Sequence, residues 1–206
     1  MRILFQGDSI TDVGRDKDSF SDLGNGYVKW IAEDLAASEN NRNMECLNRG
    51  ISGHRVLELQ GRWKKDCIDL KPDVLSILIG INDVWRRYDS NDPTTLEAFE
   101  SGYMDILTSY RSLTDGKLMI LEPFLLHTTE ERAAWREDLD PKRKVVAKLA
   151  AEFNAVYIPL DSIFAAASED QLPSYWAADG VHPSEAGHKL IAEAWIKKFK
   201  EFGYDQ

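Results

Sequence analysis

The sequence contains few cysteines and no long hydrophobic run. Only two cysteines occur among 206 residues, Cys46 and Cys67, and their spacing is not that of metal ligands. We therefore expect two ordinary thiols, with neither a disulfide nor a cysteine-based metal site. The longest apolar stretch covers residues 74–81, whereas a membrane-spanning helix needs roughly 18 to 20 residues. We expect a buried strand there and no membrane helix in the chain.

The sequence also lacks an excess of basic charge, and we expect no leader segment. Lys and Arg total 25 against 35 for Asp and Glu, which gives a formal net charge of −10. Because an acidic surface repels nucleic-acid phosphates and anionic lipids, we expect neither nucleic acid nor a membrane as a partner. Only Arg2 and the short apolar residues 3–5 precede the polar Gln6. A signal peptide does not fit there, so we expect a cytoplasmic protein.

The composition and the order of the predicted elements indicate a single α/β domain over residues 1–206. Hydrophobic residues make up 43% of the chain, enough for one sizeable core, and no repeat or linker divides it. Short β-like runs alternate with helical periodicity, which is typical of a parallel sheet covered by helices on both faces. We predict a three-layer α/β/α sandwich with a parallel five-stranded sheet. Its strands are residues 2–6, 44–48, 73–80, 117–122 and 155–159, the third being central because its apolar run is nearly continuous.

The segments between these strands are predicted to be helices or long loops. Apolar residues recur at helical steps over residues 26–37, 95–111 and 142–153, and again in a last helix whose first turn contains Pro183. Residues 82–94 and 127–138 are predicted to be irregular. Both follow carboxyl ends of strands, where open α/β sheets place their ligand crevices.

A serine lies on a glycine-flanked turn directly after the first strand, in Gly7-Asp8-Ser9. Such a turn suits a nucleophile, but a serine hydroxyl needs a base within hydrogen-bond reach and a third group that orients the base. Taken alone, the three residues favour the simpler interpretation that Ser9 caps the following segment.

The base that Ser9 would need occurs near the other end of the chain, where Asp179 and His182 are three residues apart. Asp179 could hold one imidazole nitrogen and leave the other to take the serine proton. The pair could instead cap the last helix. A metal site would need a third ligand, and neither His54 nor His127 lies at a clustered spacing, so we expect no metal.

Two predicted loops offer N–H donors for an oxyanion. Residues 48–53 contain Gly50 and Gly53, which let backbone amides approach a ligand. Asn82 follows the third strand and carries a side-chain amide. Turn glycines and an Asx turn explain the same residues without a ligand. Each loop alone leaves both interpretations open.

Together, these four segments resemble the SGNH (GDS-type) hydrolase superfamily, which is named for a Ser, a Gly, an Asn and a His in four blocks. The corresponding residues are Ser9, Gly53, Asn82 and His182, within residues 7–188. The resemblance implies a flavodoxin-like fold, ester hydrolysis without a cofactor, and a catalytic triad of Ser9, His182 and Asp179. It also implies an oxyanion hole formed by the backbone amides of Ser9 and Gly53 and the Asn82 side chain.

The sequences around these blocks are similar to those of bacterial intracellular acetylxylan esterases, which remove acetyl groups from xylose units of imported oligosaccharides. The similar segments are residues 7–12, 26–28, 48–53, 80–86 and 181–188. One departure concerns Trp176, because close relatives place a Trp immediately before the triad Asp and this chain inserts two alanines. The resemblance implies a small-molecule or oligosaccharide ester as substrate and leaves a homo-oligomer open.

Three further residues are candidates for contact with the substrate: Asp8, Trp85 and Trp176. Trp85, together with Arg86 and Tyr88, could offer a sugar an aromatic face and hydrogen-bond donors, although surface aromatics equally serve packing. For Asp8, which precedes the nucleophile, we favour hydrogen bonds to neighbouring backbone amides that hold the turn.

Other functions compete with sugar deacetylation. The superfamily also contains lysophospholipases, thioesterases and arylesterases, whose sites would have long aliphatic walls. A sugar-binding module without turnover is disfavoured by the intact Ser9, Asp179 and His182. A two-carboxylate glycosidase is disfavoured further, because its acid and base cannot be chosen among 35 acidic residues without geometry.

Overall fold

A five-stranded parallel sheet forms the centre of the molecule. The structure is a computed structural model that describes residues 1–37 and 44–203. The strands are β1 (Arg2–Gly7), β2 (Glu45–Gly50), β3 (Val74–Leu78), β4 (Lys117–Leu121) and β5 (Val156–Ile158), in the spatial order β2-β1-β3-β4-β5. All neighbouring strands are parallel. The five predicted strands and the flavodoxin-like α/β class are therefore confirmed.

Helices cover both faces of this sheet. They are α1 (Ser9–Asp12), α2 (Tyr27–Ala37), α3 (Val56–Gly61), α4 (Trp63–Asp66), α5 (Ile81–Asp89), α6 (Leu96–Leu113), α7 (Glu130–Ala134), α8 (Arg136–Glu152), α9 (Leu160–Ala167), α10 (Pro173–Trp176) and α11 (Glu185–Glu201), with a 3-10 turn at Ile68–Leu70. No helix of the described residues is long and apolar enough to cross a membrane.

The alternation of side chains along the strands builds two hydrophobic clusters, one on each face. Ile3 and Phe5 pack in one cluster with residues of α2, α9 and α11, and Leu4 packs in the other with residues of α3, α6 and α8. All five residues of β3 are buried. The central position predicted for this strand is confirmed, because a strand covered on both faces loses the polar alternation.

Both segments that were predicted to be irregular contain helices. Residues 82–94 are mostly α5, whose apolar positions Ile81, Val84, Trp85 and Tyr88 have the spacing of one helical face. The interspersed charges conceal that pattern. Residues 127–138 contain α7, capped by the Thr129 side chain, and the start of α8. Pro141 lies inside α8, and its lack of an N–H explains why periodicity alone predicted a later start.

The first turn of the last helix also differs from the expectation. The side chain of Ser184 accepts a hydrogen bond from the Gly187 N–H at 3.2 Å and caps α11, which begins at Glu185. Pro183 therefore precedes the helix instead of lying in its first turn.

Candidate active site

The nucleophile candidate lies where β1 turns into α1. A side chain at Gly7 would put a Cβ 2.5 Å from the Leu78 carbonyl oxygen, so only glycine fits at this turn. Asp8 then caps α1, because its Oδ1 accepts a hydrogen bond from the Ile10 N–H at 3.0 Å. Asp8 is 1% exposed, and burial raises the pKa of its carboxyl group to about 7. It thus has the turn-holding role that the sequence favoured.

A chain of hydrogen bonds joins Ser9 to the turn at residues 179–182. The Ser9 Oγ lies 3.0 Å from Nε2 of His182, and the His182 Nδ1 lies 2.7 Å from Oδ2 of Asp179. The other carboxylate oxygen of Asp179 accepts from the backbone N–H groups of Val181 and His182 at 2.9 and 2.8 Å. These contacts fix Asp179 in front of the ring, and Ser184, not this pair, caps the last helix.

The electrostatics of the pair suit a general base. The hydrogen bond to Asp179 raises the pKa of His182 above its ordinary value, although burial acts in the opposite direction. Burial disfavours ionisation of Asp179, but the hydrogen bonds from the His182 side chain and from two backbone amides outweigh it and hold the pKa of Asp179 well below its ordinary value. An ionised Asp179 accepts a hydrogen bond from the Nδ1–H of His182 and leaves Nε2 as the acceptor that faces the serine hydroxyl.

The loop that follows β2 lies against the start of α5 and next to the turn between β1 and α1. Gly53 has a φ of +83°, a conformation that favours glycine, within a turn closed by the His54 N–H and the Ile51 carbonyl at 3.2 Å. Asn82 is 4% exposed, and its Nδ2 donates to the His54 carbonyl at 3.1 Å. This bond uses one of the two N–H groups of the amide and fixes the side chain, so the second N–H remains for another acceptor.

Aromatic rings and an arginine form a wall next to His182. The Trp85 ring lies 5.5 Å from the His182 ring and 5.3 Å from Trp135, on which Tyr88 stacks. The Arg132 guanidinium lies between Trp85 and Trp135, at 4.8 and 3.9 Å from the ring centroids. Its Nε also donates to the backbone carbonyl of Asp179 at 2.9 Å. Arg132 therefore joins the aromatic wall to the triad turn.

Trp176, the third candidate for substrate contact, packs against the end of α9. The indole N–H of Trp176 donates to the Ala167 carbonyl at 3.2 Å, and its ring contacts Tyr175 edge-on. These contacts tie Trp176 to the end of α9.

Within residues 1–37 and 44–203, no three His, Cys, Asp or Glu side chains are grouped as metal ligands would be.

Sequence reasoning missed some of the residues that shape this site. Arg132 carried no signal, because its partner Asp179 is 47 positions away. Arg62 was also not singled out, yet its guanidinium donates to the carbonyl oxygens of Gly7 and Arg49 at 3.1 and 2.7 Å and so joins the ends of β1 and β2. Only the packing of the fold brings these groups together.

Known proteins match this chain over almost its whole length. The GDSL-like Lipase/Acylhydrolase family matches residues 5–190. The chain belongs to the GDSL-like lipase/acylhydrolase family. It is 35% identical to an acetylxylan esterase of Geobacillus stearothermophilus, over 99% of this chain and 94% of that one. The resemblance derived from the four blocks is thereby confirmed.

Solved structures agree with the family. A protein of Parabacteroides merdae, described as a candidate GDSL-like lipase, superimposes with a TM-score of 0.90 at 38% identity, over 96% of this chain and 94% of that one. The G. stearothermophilus acetylxylan esterase gives a TM-score of 0.88 at 35% identity, over 96% and 93% of the two chains. Catalytic mutants of that esterase replace a serine, an aspartate and a histidine by alanine. The present chain is therefore a carboxylic ester hydrolase.

Proposed function

We propose that this esterase removes acetyl groups from carbohydrates, with acetylated xylo-oligosaccharides as its substrates, through an acyl-enzyme intermediate. The observation that carries the proposal is the hydrogen-bonded chain of Ser9, His182 and Asp179, with distances of 3.0 and 2.7 Å. The same three residue types are changed in the catalytic mutants of the G. stearothermophilus acetylxylan esterase. In that chain, as here, the aspartate precedes the histidine by three positions.

In the proposed mechanism, Ser9 Oγ attacks the acetyl carbonyl carbon while Nε2 of His182 takes the hydroxyl proton. The negative charge that develops on the carbonyl oxygen is stabilised by the backbone N–H groups of Ser9 and Gly53 and by the free N–H of Asn82. The sugar oxygen then leaves with the proton from His182. Water attacks the acetyl-Ser9 ester with His182 again as the base, and acetate and free Ser9 are released. Asp179 orients His182 and stabilises its protonated form throughout.

The surroundings of the triad support a polar, short-chain substrate. Trp85 is half-buried beside His182 and offers a flat apolar surface of the kind that suits the C–H face of a sugar ring. Besides the buried Asp83, residues 82–94 and 127–138 contain ten charged side chains among few aliphatic ones: Arg86, Arg87, Asp89, Asp92, Glu130, Glu131, Arg132, Arg136, Glu137 and Asp138. A fatty acyl tail would need an apolar groove, because each buried CH₂ contributes about 0.8 kcal/mol.

Several finer points stay predictions. They are a cytoplasmic location, a single domain over residues 1–206 and a substrate contact by Asp8 or Trp176, and a homo-oligomer stays open. The alternative activities are those of a lysophospholipase, a thioesterase or an arylesterase, and Trp85 favours the sugar ester over them because its half-buried ring lies beside His182.

Acetate release from acetylated xylo-oligosaccharides tests the proposal directly. The purified protein is incubated with acetylated and with chemically deacetylated xylo-oligosaccharides, and acetate is measured enzymatically, with Ser9→Ala as the matched control. We expect acetate only from the acetylated substrate and the wild-type chain. Hydrolysis of an aryl acetate without any release of acetate from acetylated xylose units would indicate an arylesterase instead.

A further inference from the structure

The three proposed oxyanion donors belong to three different segments. The Ser9 amide lies at the start of α1, the Gly53 amide in the loop of residues 51–55, and the Asn82 amide in the first turn of α5. Backbone hydrogen bonds hold the ends of β1, β2 and β3 side by side, and the Ile51 N–H donates to the Gly7 carbonyl at 3.1 Å. Side chains add the contacts that join the three segments beyond these strand ends. Oxyanion stabilisation requires donors fixed within a fraction of an ångström before the reaction begins.

Asp12 ties the first segment to the loop. It is the last residue of α1, which Ser9 begins, and its side chain is buried. Its Oδ2 accepts hydrogen bonds from both the backbone N–H and the hydroxyl of Ser52, at 3.0 and 2.7 Å. Lys17 and Arg15 form ion pairs with the same carboxylate, at 3.5 and 3.8 Å. Ser52 directly precedes Gly53, so this contact fixes the loop relative to Ser9.

Asp83 ties the third segment to the same loop from the other side. It follows Asn82 in α5, and its Oδ2 accepts from the Val56 N–H at 3.1 Å, the first N–H of α3. Asp83 is 0% exposed, and its Oδ1 makes no hydrogen bond within the described part of the chain. Burial raises the pKa of its carboxyl group to about 7, whereas the Val56 N–H and the nearby Lys142 favour ionisation. A buried carboxyl group is costly, and here it accepts a specific hydrogen bond from Val56, the residue that directly follows the loop.

We infer that Asp12 and Asp83 are positioning residues of the oxyanion hole, which hold the Gly53 loop against Ser9 on one side and against Asn82 on the other. Neither carboxylate is a catalytic residue, because each acts through Ser52 or Val56. The inference rests on the proposed ester hydrolysis at Ser9. A displacement of about 1 Å in a reacting group can cost up to about 10²-fold in rate, so loss of either contact should appear in kcat.

The first test compares alanine and asparagine variants at both positions. Asp12→Ala and Asp83→Ala should lower kcat for a chromogenic acetate ester by about 10- to 10²-fold, while KM changes less than about threefold because ground-state binding is untouched. Asp12→Asn and Asp83→Asn retain an oxygen acceptor and should recover most of the lost activity. Asp73→Ala is the matched control, since the Asp73 carboxylate also accepts a hydrogen bond from a backbone N–H, that of Arg2 at 2.6 Å, but at the amino ends of β1 and β3, away from Ser9. Its kcat should equal that of the wild-type chain.

A second pair of variants keeps the inference testable if Asp83→Ala does not fold. Val56 is the first residue of α3, where proline is well tolerated, and the preceding Arg55 already has the extended backbone that proline requires. Val56→Pro removes the N–H that Asp83 accepts, and Val56→Ala controls for the shortened side chain. For Asp12, Ser52→Ala removes the hydroxyl bond from an exposed residue. We expect a lower kcat in Val56→Pro than in Val56→Ala, and in Ser52→Ala than in the wild-type chain.

A double-mutant cycle separates positioning from a general loss of structure. If Asp83 aligns the loop with Asn82, Asp83→Ala should cost much less in an Asn82→Ala background than in the wild-type chain, because the donor that it aligns is already absent. A purely structural role predicts the same factor in both backgrounds. Folded alanine variants with the kcat of an active wild-type chain would contradict the inference alone. A wild-type chain that hydrolyses no acetate ester would contradict the proposed function and this inference with it.

Discussion

Replacement of Asn82 by alanine should slow the chemical step without weakening substrate binding. The Asn82 side chain is almost fully buried, and its bond to the His54 carbonyl at 3.1 Å leaves one N–H free. A donor that meets charge only in the transition state contributes to kcat, and removing one such donor typically costs about 10²- to 10³-fold, roughly 2.7 to 4 kcal/mol. We expect a loss of this size in kcat and little change in KM.

The hydrogen bond from Asn82 to the His54 carbonyl also contributes to the stability of the fold, separately from catalysis. Its loss should lower the free energy of unfolding by about 1 kcal/mol, as for an ordinary hydrogen bond, and this appears in thermal unfolding instead of in kcat. Asn82→Asp serves as the matched variant, because it keeps the size of the side chain but replaces both N–H groups by acceptors. A carboxylate there would repel the developing oxyanion, so its kcat should be lower still than that of Asn82→Ala.

Initial rates with a chromogenic acetate ester, measured over a range of substrate concentrations, separate kcat from KM for these variants. An unchanged kcat with a raised KM would show that Asn82 binds the ground state instead of the transition state. Unchanged values of both kcat and KM in a folded variant would show that Asn82 is not part of the oxyanion hole.

The remaining predictions concern pH, the aromatic wall and the acyl chain. His182 must be neutral to accept a proton, and Asp179 raises the pKa of His182. We therefore expect kcat/KM to fall as the pH drops through a midpoint above the ordinary histidine pKa of about 6.5. In a pH–rate profile, Asp179→Asn should shift that midpoint downward and lower the rate by up to about 10⁴-fold. Trp85→Ala should raise KM for acetylated xylo-oligosaccharides by about tenfold, on the order of 1.4 kcal/mol, and should raise KM for an aryl acetate much less. Trp85→Phe should have an intermediate effect. Equal effects on both substrates would argue against contact between Trp85 and the sugar. Across acetate, butyrate and octanoate esters, kcat/KM should fall steeply, because the charged walls offer little apolar surface to longer chains; a rising series would indicate a lipase.

The layers of the fold could be predicted from the sequence because burial leaves a periodic pattern. The nearly continuous apolar run of residues 74–81 indicated a central strand, and β3 is buried at every position. The same reasoning failed at α5, where Arg86, Arg87 and Asp89 surround the apolar stripe and suggested a loop. It also failed at the start of α8, where Pro141 conceals the first turn. Local composition misleads where tertiary packing stabilises a polar helix.

The candidate site could be predicted only where its residues lie in short, ordered blocks. Ser9, Gly53 and Asn82 lie shortly after the ends of strands, and Asp179 and His182 lie in the turn between α10 and α11, so their types and order were informative. Asp12 and Asp83 lie within two of the same blocks, but their roles depend on Ser52 and Val56, 40 and 27 positions away. Arg132 reaches Asp179 over 47 positions. Contacts at such separations are set by the sheet order and by helix packing, which the spacing of a single sequence does not encode.

Covalent labelling of the nucleophile shows whether Ser9 is the residue that attacks the ester. The wild-type chain and Ser9→Ala are treated with a serine-directed organophosphate, and the modified peptide is identified by mass spectrometry while residual esterase activity is followed. We expect one adduct, on Ser9, that forms in step with the loss of activity and is absent from a folded, inactive Ser9→Ala variant. An adduct on another residue that accompanies inactivation, or wild-type activity in Ser9→Ala, would contradict the assignment of Ser9, His182 and Asp179 as the catalytic triad.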